Sequence, residues 1–330
     1  MKDKEEVKKI CKELSLDNLL IQGTGGNISW KEESILWVKA SGTSLKDSFS
    51  KEIFVPINLN NIRNNIEKKI FNFTLKVENN VALKPSIETL LHGLISKKYV
   101  VHLHAINPLS YLVRNDFSDI FDKISQNNFT YSVIDYAKPG QELAKKLYSE
   151  IQLNGIRDIY YLKNHGIIYT SDNINELRNL IKISCDILYL NPCKLNEVKT
   201  PISESIDYMP IKNPCLHNFV LDKKLLQYVK KNWAIFPDHV VFVGDRPCIY
   251  PNWNKFMQSN EKPLLIFIKG EGVFHLKSIK QNEIEQLNCY FDVICRQDFD
   301  KNLSVLTQKQ ISELINWDAE IYRQSLIKKI

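Results

Sequence analysis

Glycine is scarce in this chain, with 11 in 330 residues, and methionine scarcer still, with three. The seven cysteines, at positions 11, 185, 193, 215, 248, 289 and 295, include no CxxC pair. An odd count without paired spacing excludes a disulfide scaffold and a cysteine-ligated zinc finger, and reads as reduced thiols in a cytoplasmic protein. Long apolar runs are missing as well. Stretches such as Leu264–Ile268 fall far short of the about 18 residues that a membrane-spanning helix needs. The charged segment at residues 1–9 has no apolar stretch behind it and does not read as a secretory signal. A basic tail or Arg-rich helix is also lacking. The 44 Lys and Arg against 38 acids, a net charge of +6, are spread along the chain, so neither nucleic acid nor a membrane is expected as a partner.

What is present is a globular composition, 44% hydrophobic and 25% charged, in 38.5 kDa. One large or two linked domains fit that length. Helical and strand-like segments alternate. The patterning predicts helices at 4–15, 86–97, 140–150 and 173–190, and strands at 35–40, 52–57, 99–105 and 157–163. This mixture implies an α/β or α+β layered domain ending near 190. Prolines 192, 201, 210 and 214 among polar residues mark 191–218 as a linker, which divides the chain into 1–198 and 199–330. Within the second part, Phe267-Ile-Lys-Gly-Glu271-Gly-Val-Phe-His matches the pattern of Tyr161-Leu-Lys-Asn-His165-Gly-Ile-Ile-Tyr. The second part therefore reads as a partial, degenerate α/β copy of the first domain's second half, with Glu271 where the first copy has His165.

Three of the few glycines fall together in Gly23-Thr-Gly25-Gly26-Asn27-Ile-Ser29. Such a turn is either a tight bend or an anion cradle of backbone N–H groups, and the residues alone leave both readings open. Ala40-Ser41-Gly42-Thr43-Ser44 is a second donor-rich turn, and the two turns together fit one phosphate. In Val100-Val-His102-Leu-His104-Ala, strand alternation puts both imidazoles on one face. A third histidine stands in Asn164-His165-Gly166. Three histidines with an open position form the general plan of a catalytic zinc centre, which also suits other divalent ions that accept imidazole. Pro85-Ser86-Ile87-Glu88 supplies a carboxylate at a helix start, on the same helix face as His92 four residues on, as an acid/base candidate.

As an ordered set, Gly23–Ser29, Lys39-Ala-Ser-Gly42, Pro85–Glu88, His102-Leu-His104 and Asn164-His-Gly166 resemble the class II aldolase/adducin family over about residues 15–190. Within that family the chain looks most like the aldolase half of the bifunctional rhamnulose-phosphate aldolase/alcohol dehydrogenases. The resemblance implies a three-layer α/β/α fold and a homo-oligomer, commonly a tetramer. It assigns metal ligation, with Zn²⁺ or another divalent transition metal, to His102, His104 and His165, and acid/base work to Glu88. Contacts to a sugar-phosphate substrate pass to Gly26, Asn27, Ser41, Gly42 and Ser86. Family aldolases often carry two serines before the Glu, whereas this chain has Ser86-Ile87, one phosphate donor fewer. The implied reaction is zinc-dependent retro-aldol cleavage of a ketose phosphate to dihydroxyacetone phosphate and an aldehyde. Epimerase, dehydratase or decarboxylase chemistry on the same scaffold is the alternative, and a non-catalytic adducin-like module is a further one. Tyr136, in Asp-Tyr-Ala-Lys-Pro-Gly, is a candidate second base without an assignment.

Overall fold

A computed structural model describes residues 2–79, 81–116 and 128–318. Helix α1 (Lys2–Ser15) buries Val7, Ile10, Cys11 and Leu14, the i, i+3, i+4, i+7 stripe of an amphipathic helix. Strands β1 (Asn27–Glu32), β2 (Ile35–Lys39) and β3 (Phe54–Asn58) form an antiparallel meander. Helices α2 (Leu59–Glu67) and α3 (Thr89–Leu94) lead to β4 (Tyr99–Leu103) and α4 (Ile106–Leu112). β5 (Tyr131–Ile134), α5 (Gln141–Asn154), β6 (Ile159–Leu162), β7 (Gly166–Ser171) and α6 (Ile174–Ile187) complete this half. The seven strands form one sheet in the order β3-β2-β1-β4-β7-β6-β5, and β5–β6 is its parallel pair.

The sheet is covered on both faces, as in a three-layer α/β/α arrangement. Val101, Leu103, Tyr161, Ile167 and Tyr169 join the core of α1, α4 and α6. Val100, Tyr160, Leu162 and Ile168 point the other way, into the core of α2, α3 and α5. Central β4 is therefore buried along its whole length and reads as a nearly continuous apolar run broken by His102.

A second sheet follows. β8 (Tyr208–Pro210) is succeeded by α7 (Asn218–Leu221), α8 (Lys223–Lys231) and α9 (Pro237–Val243). Then come β9 (Ile249–Tyr250), α10 (Trp253–Ser259), β10 (Leu265–Ile268), β11 (Gly272–Leu276), α11 (Gln281–Ile294) and α12 (Gln308–Ile315). Its strand order β8-β11-β10-β9, with two antiparallel pairs and then a parallel one, repeats β4-β7-β6-β5 of the first sheet. The likeness reaches individual hydrogen bonds. Asn164 N donates to Leu112 O at the end of α4, and Gly270 N donates to Val220 O in α7. A helix of 14 residues follows each hairpin. By register, Pro210, Lys212 and Glu271 occupy the places of His102, His104 and His165, so the copy lacks the histidine set.

Three expectations are adjusted. The helix foreseen at 86–97 is shorter, because Ser86 O accepts from both Thr89 N and Thr89 Oγ1 and makes residues 86–89 a turn. Glu88 is thus the residue before the helix, not a member of its face, and His92 bonds Ser29 Oγ at 2.7 Å instead of sharing a face with Glu88. The glycine turn runs directly into β1, whose polar Asn27, Ser29 and Lys31 are buried on the side opposite Ile28 and Trp30. Regular structure resumes at Tyr208, within the expected linker. The two sheets share one continuous core that includes Leu109, Ile167, Phe267, Tyr290 and Leu303. Polar ties reinforce it: Gln297 Nε2 donates to Ser110 O, and Arg296 Nε to Asn107 Oδ1.

Candidate active site

The end of β4 turns into α4 through His104 and Ala105, and the β6–β7 hairpin turn carries His165 beside it. Gly166 makes this approach feasible. A Cβ there would meet Leu103 O at 2.5 Å, His104 Cδ2 at 2.9 Å and His102 Cε1 at 3.0 Å. Asn164 adopts φ +54°, a conformation that asparagine tolerates better than most side chains. Its amide donates to Ile235 O at 2.9 Å and Ser304 O at 2.7 Å, which locks the turn.

The three imidazoles are buried, and one ligand nitrogen from each lies within 4.8 Å of the others. His102 Nε2 is 3.1 Å from His104 Nε2. Glu88 completes the cluster, with Oε2 3.5 Å from His102 Nε2 and Oε1 3.3 Å from His165 Nε2. Asn27 Nδ2 donates to Glu88 Oε2 at 3.0 Å, so the Asn27 amide orients the acid. Burial pushes the His165 pKa down to about 3, which keeps this imidazole neutral, with one ring nitrogen presenting a lone pair.

The donor set fits a cation. His102 Nδ1 lies 3.0 Å from Ile167 O, which can only accept, so Nδ1 carries the proton and Nε2 presents a lone pair. That lone pair faces a second imidazole nitrogen and a carboxylate oxygen among buried side chains. Glu88 Oε1 and His165 Nδ1 are buried without a hydrogen-bond partner among the described residues. Acceptors crowded together in this way are stabilised by a shared divalent ion.

Above the cluster lies a cleft lined by Gly26, Asn27, Ser41, Gly42, Ser86, Glu88, His104 and His165, so every residue of the sequence-predicted site except His102, buried beneath it, borders one cavity. Two glycine-bearing turns meet here. Lys39 Nζ donates to Thr24 O at 3.0 Å and to Thr43 O at 2.7 Å, tying the turns together and placing a buried positive charge against the cleft. Gly26, with φ +68°, bends the first turn inward. The Ser41 N–H is engaged by Lys84 O, leaving the Ser41 hydroxyl for a ligand. Tyr136 is not among the cleft residues; it packs against the small core formed by Ala234, Val240 and α12.

The sequence, in which Pro237-Asp-His239 resembles only the family's C-terminal extension, assigns Asp238 no role at the site. This residue of α9 lines the same cleft and sets its Oδ2 3.5 Å from His104 Nδ1. An acid right after a proline at a helix start is an ordinary sequence feature, and only the packing of the second sheet on the first brings it to the site.

Residues 5–185 match the family model described as Class II Aldolase and Adducin N-terminal domain. Among curated proteins, the chain is 27% identical over 190 residues to an L-fuculose phosphate aldolase of Methanococcus maripaludis, covering 57% of this chain and 96% of that one. It is 26% identical over 168 residues to the uncharacterized oxidoreductase YuxG of Bacillus subtilis, covering 46% of this chain. The match spans only 24% of the length of that protein. Among solved structures, the N-terminal class II aldolase domain of a conserved protein from Thermoplasma acidophilum is 28% identical, with a TM-score of 0.48 over 56% of this chain and 90% of that one.

Proposed function

Because this chain belongs to the class II aldolase and adducin family, we propose that it is a metal-dependent carbon–carbon lyase that cleaves a ketose phosphate into dihydroxyacetone phosphate and an aldehyde. The observation that carries the proposal is the meeting of three imidazoles and the Glu88 carboxylate at the foot of a cleft walled by two tied, donor-rich turns. His102, His104 and His165 would hold zinc or another divalent transition metal, which would supply a Lewis acid for the substrate carbonyl.

The chain's own residues do the rest. Asn27 holds Glu88 through Oε2, which turns the acid toward the cleft to take and return the proton at the donor carbon. Ser41, Gly42, Gly26 and Ser86 offer neutral donors to the phosphate, and Lys39 adds charge. Binding energy gained at the phosphate is thereby available to position the bond that breaks. The Ser86-Ile87 sequence leaves this anchor one hydroxyl short, and Lys39 offsets that loss. A substrate carboxylate is the competing occupant of the same donors. The likeness to an L-fuculose phosphate aldolase supports a sugar phosphate as the first substrate class to examine.

The test is direct. Zinc-loaded protein is mixed with a panel of ketose 1-phosphates, and released dihydroxyacetone phosphate is read by coupled NADH oxidation. Release is expected, together with about one bound metal per chain, three imidazoles making one site. Both are expected to vanish in His102→Ala. Stoichiometric metal without release from any ketose phosphate would point to another reaction on this scaffold. Absence of metal binding would overturn the reading.

A further inference from the structure

One wall of the cleft comes from outside the matched family domain. Asp238 Oδ2 lies 3.5 Å from His104 Nδ1, while His104 Nε2 faces His102 Nε2 at 3.1 Å on the other side of the ring. We propose that Asp238 is a positioning residue for the metal centre: its carboxylate faces the His104 Nδ1–H as an acceptor, favours that tautomer, and so leaves Nε2 as the ligand atom. This inference rests on the metal-site reading above.

The chemistry follows from what a carboxylate can do. An ionised Asp only accepts, so the nitrogen facing it carries hydrogen and the opposite nitrogen carries the lone pair. His102 is held the same way by Ile167 O. The two rings then present matching Nε2 lone pairs to one point. A negative partner also raises the basicity of the ring, which strengthens the bond to a metal.

Asp238 is built to stay in place. α9 is clamped at both ends, since Trp233 Nε1 donates to Gly244 O at 2.9 Å just past its end. His239, the next residue, stacks on Tyr290 of α11 with ring centres 4.1 Å apart and planes 13° from parallel. Gly25 packs against the pair from the other side: a Cβ there would sit in ordinary van der Waals contact, 3.5 Å from His104 Nδ1 and 3.6 Å from Asp238 Oδ2.

A second, independent contact shows the same region supporting another ligand. Ile235 O, three residues before Asp238, accepts from Asn164 in the turn that carries His165. The C-terminal copy thus has Pro210, Lys212 and Glu271 where the first half has its histidines, and steadies two of those histidines instead. On this account the matched domain alone does not contain the whole site.

The full-length chain, Asp238→Ala and Asp238→Asn are stripped of metal, and Zn²⁺ affinity is measured by competition with a chromophoric chelator. The Co²⁺ absorption spectrum is recorded alongside. Asp238→Ala is expected to weaken Zn²⁺ binding by about 10–100-fold and to alter the cobalt spectrum. Asp238→Asn, which keeps an accepting oxygen but not the charge, should recover part of that loss. The ¹⁵N signals of His104 should report one tautomer in the native protein and a mixture in Asp238→Ala. Native-like affinity and spectrum in Asp238→Ala would overturn the proposal while leaving the metal site standing. If Asp238→Ala does not fold, Asp238→Asn decides: undiminished affinity overturns the proposal, a several-fold loss supports it. A native chain that binds neither ion would overturn this inference and the metal-site reading together.

Discussion

Glu88 faces two imidazoles within 3.5 Å, is held by an amide, and is largely buried at the edge of the cleft. A carboxylate so placed is within reach of a substrate in the cleft, yet it is a neighbour of the histidine set and its removal leaves all three rings. Under the proposed function, Glu88→Gln should therefore keep its bound metal and lower turnover by about 10²–10⁴-fold, the usual range for losing a general acid/base. Metal analysis and the dihydroxyacetone phosphate assay on the same preparation check this, and full activity would contradict the role. His92 illustrates the limit of residue spacing. Four positions from Glu88, it bonds Ser29 in the core and takes no part in the cleft.

At the scale of elements, the β6–β7 hairpin does the positioning. Asn164 combines a left-handed backbone with two hydrogen bonds to the C-terminal region, at Ile235 O and Ser304 O. Alanine at this position loses both bonds and strains the backbone; glycine loses the bonds but relaxes the strain. Asn164→Ala should thus destabilise the fold more than Asn164→Gly, the difference being about 1–2 kcal/mol from the left-handed conformation. Urea unfolding of the metal-free proteins measures it, and equal losses would show that the turn stores no such preference. The matching turn of the second hairpin has Gly270, φ +75°, at the equivalent place, so the same bend is made there without the side-chain bonds.

For the whole molecule, the buried histidines tie stability to pH. Burial holds both His165 and His239 to about 3. An unfolded histidine titrates near 6.5. Between those values the unfolded chain binds protons that the folded chain refuses, so stability rises with pH across the window and is lost as pH falls from about 6.5 toward 3. With chelator present, the urea midpoint should drop between pH 7 and pH 5. His239→Phe, which preserves stacking on Tyr290, should drop less steeply, and an unchanged slope would remove His239 from this account. Among the described residues, no helix is long and apolar enough to cross a membrane.

Much of the centre was legible in the chain itself. Alternation at His102 and His104, the glycine-bearing turn before β1, and Asn164-His165-Gly166 specify local geometry, because strand pleat and turn chemistry act over a few residues. The repeated Lys-x-x-Gly turn likewise points to a partial copy of the first half, whereas the strand order is seen only in the folded chain. What sequence could not supply is proximity between distant segments. The spacing puts Glu88 on a helix face with His92, yet hydrogen bonds at Ser86 delay the start of the helix to Thr89 and leave the acid facing His165. Lys39 reads equally well as a solvent-facing strand residue until Thr24 and Thr43 close over it. Asp238 reaches His104 only because burying the apolar faces of α9 and α11 seats the second sheet against the first, and that docking is decided by long-range packing of the whole chain.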